Sequence, residues 1–144
     1  MKGTALDTSV IVAALLGWHE DHERANRAVA EAIAGRERLV LPVPALIESY
    51  SAMTRLPRGY RVSPRDAVDL LRGAFEERAV LVALREGMPF SLISECAEAG
   101  IAGGAVHDAE ILRCAREAGA RRLLTLNARD FERFDPCGVE IVVP

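Results

Sequence analysis

The sequence predicts an α/β fold of three layers, with helices on both faces of a central, mainly parallel sheet of four or five short strands. Three observations predict it. Short apolar runs recur at 4–6, 38–42, 79–84, 121–126 and 139–143. Segments of helical length and period lie between them. Half of the 144 residues are hydrophobic, enough for a sizeable core. That length suits one domain over 1–144, and no repeat or low-complexity linker divides it.

Each element has a local reason. Thr4–Leu6 reads as a short strand, and a helix follows through about Leu16. "DHERANRAVAEAIAG" has helical periodicity and closes on Gly35 as C-cap. "RLVLP" is a buried strand. "PALIESYSAMTRL" is a helix with Pro44 in its first turn, where a missing N–H costs nothing. "RLPRGYRVSP" is rich in turn residues and reads as a loop. "SPRDAVDLLRGAFEE" opens with Ser63 as N-cap and Pro64 at the first helical position. "AVLVAL" is a strand, and "MPFSLISECAEAGI" and "GAVHDAEILRCAREAG" are helices. "RRLLTL" is a strand, "ARDFERF" a short helix, and "VEIVV" the last strand.

Composition excludes some classes. A net charge of −3 is no footprint for tight, non-specific nucleic-acid binding. Cys96, Cys114 and Cys137 are odd in number and far apart, so they read as buried small hydrophobes rather than a zinc or disulfide framework. No run is long enough to span a membrane. Asp7 interrupts the apolar N-terminal run, which argues against a signal peptide and for a cytoplasmic, soluble protein.

In open parallel sheets, ligands bind beyond the carboxyl ends of the strands. Asp7 follows the first strand, either as a helix N-cap or as a group facing that crevice. Glu48, after the second strand, has Pro44, Ala45, Ser51 and Ala52 as helical neighbours and no local ion pair. The helix dipole in a first turn is its structural alternative. Asp108 sits on an apolar stripe with Gly104, Ala105, Ile111 and Leu112, where a carboxylate needs a partner or a metal. Glu110, by contrast, has Arg113 at i+3 and reads as solvated surface. In "TLNARDF", Asn127 and Asp130 can form a capping box or join the site. Several carboxylates at one sheet edge cannot all stay ionised without a cation. Oxygen donors without histidine or cysteine suit Mg²⁺, with Mn²⁺ as the alternative, and metal-assisted phosphodiester hydrolysis.

Four fragments in order, "LDTSV", "ALIESYSAMTRLP", "HDAEIL" and "TLNARDF", resemble the PIN-domain ribonucleases, most closely the VapC-type toxins of toxin–antitoxin pairs. The resemblance covers nearly the whole chain. It implies a PIN-like α/β/α domain and a metal-dependent endoribonuclease with Asp7, Glu48 and Asp108 as metal ligands. Asn127 stands where the family usually has a fourth acid, and Asp130 is the nearest acid, so either can complete the catalytic set. Ser9 resembles the hydroxyl that orients the first carboxylate. The implied partners are an RNA substrate, a small cognate antitoxin and a second copy of the chain in a homodimer.

Other residues carry weaker signals. Arg55, Arg58, Tyr60, Arg61 and Arg65 form a basic loop with one aromatic, suited to RNA contact or simply solvated, with Arg65 paired to Asp66 or Asp69. His19 and His22 lack the further ligands of a zinc site and read as a surface helix start. His107 adjoins Asp108 but faces about 100° away on a helix. Arg121 and Arg122 read as surface. Two rival functions remain. One is a catalytically silent PIN-like module that binds RNA or a partner. The other is phosphotransfer through Asp7 as in haloacid dehalogenases, which would want a second Asp where Ser9 stands.

Overall fold

The computed structural model describes residues 2–144. Five strands form one sheet: β1 (Gly3–Leu6), β2 (Arg38–Pro42), β3 (Ala79–Val82), β4 (Ala120–Leu124) and β5 (Glu140–Val142). Their order is β3-β2-β1-β4-β5, and every neighbouring pair is parallel. Among the described residues there are also six helices: α1 (Thr8–Leu15), α2 (His22–Ala34), α3 (Val43–Thr54), α4 (Pro64–Phe75), α5 (Met88–Glu98) and α6 (Ala105–Glu117). A 3-10 turn spans Ala128–Phe131.

β1 is central, and all four of its residues are buried. Side chains alternate between faces along a strand, so this burial means that both faces of the sheet are covered. Leu6, Ile11, Leu39, Leu41, Met53, Ile111, Leu123 and Leu124 form the fully buried centre. The chain builds outward from β1 through β2 to β3, then returns to lay β4 on the other side of β1. The order therefore reverses between β1 and β4, where a crevice opens at the carboxyl ends. Leu6 pairs with Leu124, so Asp7 and Thr125 leave the sheet at the same level.

Gly35 is the C-cap of α2, as expected, with an ordinary φ of −74°, and Arg36 behind it takes the left-handed conformation at φ 58°. The Glu37 N–H reaches the Ala32 carbonyl at 3.0 Å and the Arg36 N–H the Ile33 carbonyl at 3.1 Å, closing a Schellman end. Gly35 also supplies room, because a Cβ there would meet the Glu31 carbonyl oxygen at 3.2 Å. Two local expectations change. α3 begins at Val43, which puts Glu48 beyond the first turn and weakens the helix-dipole reason for it. β3 ends at Val82 rather than at Leu84.

Arg122 is half-buried rather than a free surface residue. Its Nε donates to buried Thr4 Oγ1 at 3.0 Å and its Nη2 to Glu37 Oε1 at 3.2 Å, an arrangement that only the pairing of β1 with β4 creates. Cys96 and Cys114 are buried as expected, and burial pushes the Cys114 thiol up to about 11, away from reactivity. Cys137 is exposed, in a turn at φ 45° where its N–H meets Asp135 Oδ1 at 2.9 Å. Among the described residues, no helix is long and apolar enough to cross a membrane.

Candidate metal-binding active site

Asp7 is the most constrained residue of the crevice. Its extended backbone (φ −80°, ψ 160°) ends the strand and starts α1. Its N–H stays in the sheet, donating to the Leu124 carbonyl at 3.0 Å. Its Oδ1 accepts the Thr8 N–H at 2.7 Å, and its Oδ2 accepts the hydroxyls of Ser9 at 3.0 Å and Thr125 at 2.6 Å. Ser9 and Thr125 are themselves fixed, because Ser9 Oγ accepts the Leu126 N–H at 2.9 Å and Thr125 Oγ1 the Asn127 N–H at 3.0 Å. Asp7 thus caps the helix and lines the cleft at once. Burial raises the Asp7 carboxyl above its ordinary range, against the pull of its three hydrogen bonds, and the charge of Asp130 adds to the rise.

Thr125 escaped the sequence reading. Its one signal is a hydroxyl at the end of an otherwise apolar strand run, "LLTL".

Asp108 lies half-buried in the first turn of α6. Burial first, then the charges of Asp7, Asp130 and Glu48, push its carboxyl up to about 6, with Arg133 opposing. Glu48 enters from α3 and exposed Asp130 from the 3-10 turn, and all four line one cleft of about 1010 Å³. Asn127 lines it too, but its side chain makes no cap bond, so the capping-box alternative fails and Asp130 turns to the acidic group. Asp130 and Asn127 thus both lie on the cleft beside the other three carboxylates.

Glu110 also lines the cleft, which corrects its reading as surface. Its expected partner Arg113 is buried and bonded to Glu95 of α5 instead. Of the basic loop, Arg55 reaches the cleft, held by its bond to Ser51 Oγ at 2.8 Å. Arg58 and Arg61 do not line it, and Arg61 Nε is occupied by the Leu56 carbonyl at 3.0 Å. Arg65 sits 3.7 Å from Asp69 on the exposed surface. The histidines separate as well. His22 Nδ1 meets the Ala13 carbonyl at 2.9 Å, whereas His19, in the turn before α2, lines the cleft, as does His107.

Asp7, Glu48, Asp108, Glu110 and Asp130 thus face Arg55, the one guanidinium among the described lining residues. As placed, no three Asp, Glu, His or Cys side chains among the described residues close on a common point. The acids form an open rim rather than a cage. That suits a hard divalent ion, because Mg²⁺ keeps several waters and takes only one or two carboxylates together with substrate phosphate. Thr8, also on the cleft, has a buried Oγ1 without a partner, so hydrogen-bonding capacity beside Asp7 stays open.

Comparisons with known proteins bear on the family and the fold. Residues 4–135 match the family model described as PIN domain. Ribonuclease VapC27 of Mycobacterium tuberculosis is 39% identical over 140 residues, covering 96% of this chain and 95% of that protein. Ribonuclease VapC40 of the same species is 35% identical over 137 residues, covering 95% and 96%. The solved structure of VapBC-1 from nontypeable Haemophilus influenzae aligns with a TM-score of 0.66 at 16% identity, covering 98% of this chain and 97% of that one, a likeness of fold.

Proposed function

The chain belongs to the PIN domain family, and from that membership and the acidic cleft we propose that it is a divalent-metal-dependent endoribonuclease, the toxin of a toxin–antitoxin pair. One observation carries the metal-dependent part. Carboxylates from four separate segments line one cleft at the β1–β4 switch point, where burial first and then the charges of the other three push Asp108 up to about 6.

Asp7, Glu48 and Asp108 would hold Mg²⁺ or Mn²⁺, with Asp130 completing the acidic rim. When bound, such a cation would supply Lewis acidity toward the phosphodiester and a water nucleophile near neutral pH. The chain's own groups do the positioning. Ser9 and Thr125 fix Asp7, so that its carboxylate is oriented before substrate arrives. Arg55 offers a planar pair of donors to a phosphate oxygen, and Asn127 offers an amide without adding charge. Nothing in this set demands the RNA 2′-hydroxyl as nucleophile, so the choice of RNA rests on the ribonucleases that the chain is similar to.

An antitoxin segment that inserts an arginine among these carboxylates would block the site by a charge-assisted fork. A homodimer, a cytoplasmic location and a single domain over 1–144 complete the proposal, the last supported by the one continuous sheet. The test is hydrolysis of RNA by pure protein in Mg²⁺. Cleavage that stops in excess EDTA and in Asp7→Asn supports the reading. Cleavage that survives both overturns it.

A further inference from the structure

Three aromatic rings run outward from the cleft. His19 lines it, Trp18 stacks on His19 with centroids 6.1 Å apart and planes at 29°, and Tyr60 meets Trp18 at 5.1 Å with a 55° tilt. These are favourable aromatic separations. Yet the rings are not consumed by packing, since Trp18 remains 53% and Tyr60 57% exposed. Two loops far apart in sequence, one after α1 and one after α3, bring them together.

On the Tyr60 side the setting is fixed and basic. The Tyr60 and Arg61 N–H groups bond the Pro57 carbonyl at 3.0 and 3.1 Å, and the Val62 N–H bonds the Met53 carbonyl of α3 at 3.1 Å. Gly59 allows that turn with φ 96°. His19 Nδ1 accepts the Asp21 N–H at 3.0 Å, which fixes its ring. The same loop supplies Arg55 at the cleft and exposed Arg58.

We propose that Trp18 and Tyr60, continuous with the cleft through His19, form a stacking platform for an unpaired nucleobase flanking the bond to be cut. The platform rests on the ribonuclease reading for its substrate class. Open aromatic faces beside guanidinium groups are what single-stranded nucleic acid uses, because every base has a face to stack and a phosphate to neutralise. Bases inside a duplex are already stacked, so the site selects unpaired strands. Glu20 and Glu23, near Trp18 in sequence, repel the phosphate but not the neutral base, so the phosphate contact falls to the arginines on the Tyr60 side.

Trp18 is the sole tryptophan, so its fluorescence reports the platform directly. The experiment titrates the whole protein, in EDTA to prevent cleavage, with single-stranded oligoadenylate, the same strand with abasic sites, and an RNA duplex. Expected are quenching by the intact strand alone and affinity at least about fivefold weaker in Tyr60→Ala, with Tyr60→Phe close to wild type. Equal quenching by the abasic strand or the duplex, no quenching, or unchanged affinity in Tyr60→Ala overturns the platform. Cleavage in Mg²⁺ is read in parallel. Base-dependent quenching without cleavage supports the platform and sinks the ribonuclease reading, whereas cleavage without base-dependent quenching does the reverse.

Discussion

Thr125 donates its hydroxyl to Asp7 Oδ2 at 2.6 Å, joining the ends of two parallel strands that lie 118 residues apart in sequence. The bond couples the sheet's register to the orientation of the first acidic residue. Thr125→Val keeps the shape and removes the donor. It leaves Asp7 Oδ2 with the Ser9 hydroxyl alone and the Asn127 N–H without its acceptor, at a cost of about 1–3 kcal/mol. Cleavage should fall about 10–100-fold and need more Mg²⁺. Thermal unfolding and the Mg²⁺ dependence of cleavage check this, and wild-type values in both would contradict it.

Without a cation, Asp108 should make the protein sensitive to pH. Its folded carboxyl titrates at about 6 against an ordinary 3.8, so the folded state holds the proton more tightly than the unfolded one. The resulting stability is full below pH about 4 and is lost as the pH rises through about 6. Asp108 is half-exposed, so solvent screening reduces the effect to about 1 kcal/mol. Asp7, also raised, contributes with the same sign. Denaturant unfolding in EDTA should show wild type losing stability over this window and Asp108→Asn losing less. Parallel curves would refute the assignment.

The two acids of α6 should behave differently. Glu110 lines the cleft but is not among the charges that raise Asp108. Glu110→Gln should change cleavage by less than about tenfold, and Asp108→Asn should lower it by more than about a hundredfold. Initial rates on one RNA decide the matter, and equal losses would mean that the cleft has no inner acidic group.

The Arg113–Glu95 pair between α6 and α5 should be asymmetric. The Arg113 side chain is 9% exposed and its Nε lacks a partner, while that of Glu95 is 58% exposed. Arg113→Met should therefore stay within about 1 kcal/mol of wild type, since an apolar side chain can replace a buried charge. Glu95→Ala strands the guanidinium and should cost about 2–3 kcal/mol. Urea unfolding of both variants tests the order.

Sheet and helices were legible because each apolar run and each helical period is local. Asp7 stood out as a charge at a strand end, and Glu48 and Asp108 as carboxylates without a local basic partner; all three line one cleft. What failed was pairing across the fold. Arg113 offered Glu110 a partner three residues away, but turned to Glu95 on another helix. Arg122 found Thr4 and Glu37 through strand pairing, and Thr125 found Asp7 in the same way. Trp18 and Tyr60 sit in separate loops, and no spacing rule links them. Asp130 was ambiguous because a capping box and a site share one pattern, and only the absence of an Asn127 cap bond separates them.

The central claim is that Asp7, Glu48 and Asp108 hold a divalent cation. Calorimetric titration of Mn²⁺ into EDTA-stripped, dialysed protein tests it most directly. Saturable binding in wild type, weakened at least about tenfold in Asp108→Asn, is the predicted result. Binding of equal strength in both proteins, or none in wild type under conditions where it cleaves RNA, would contradict it.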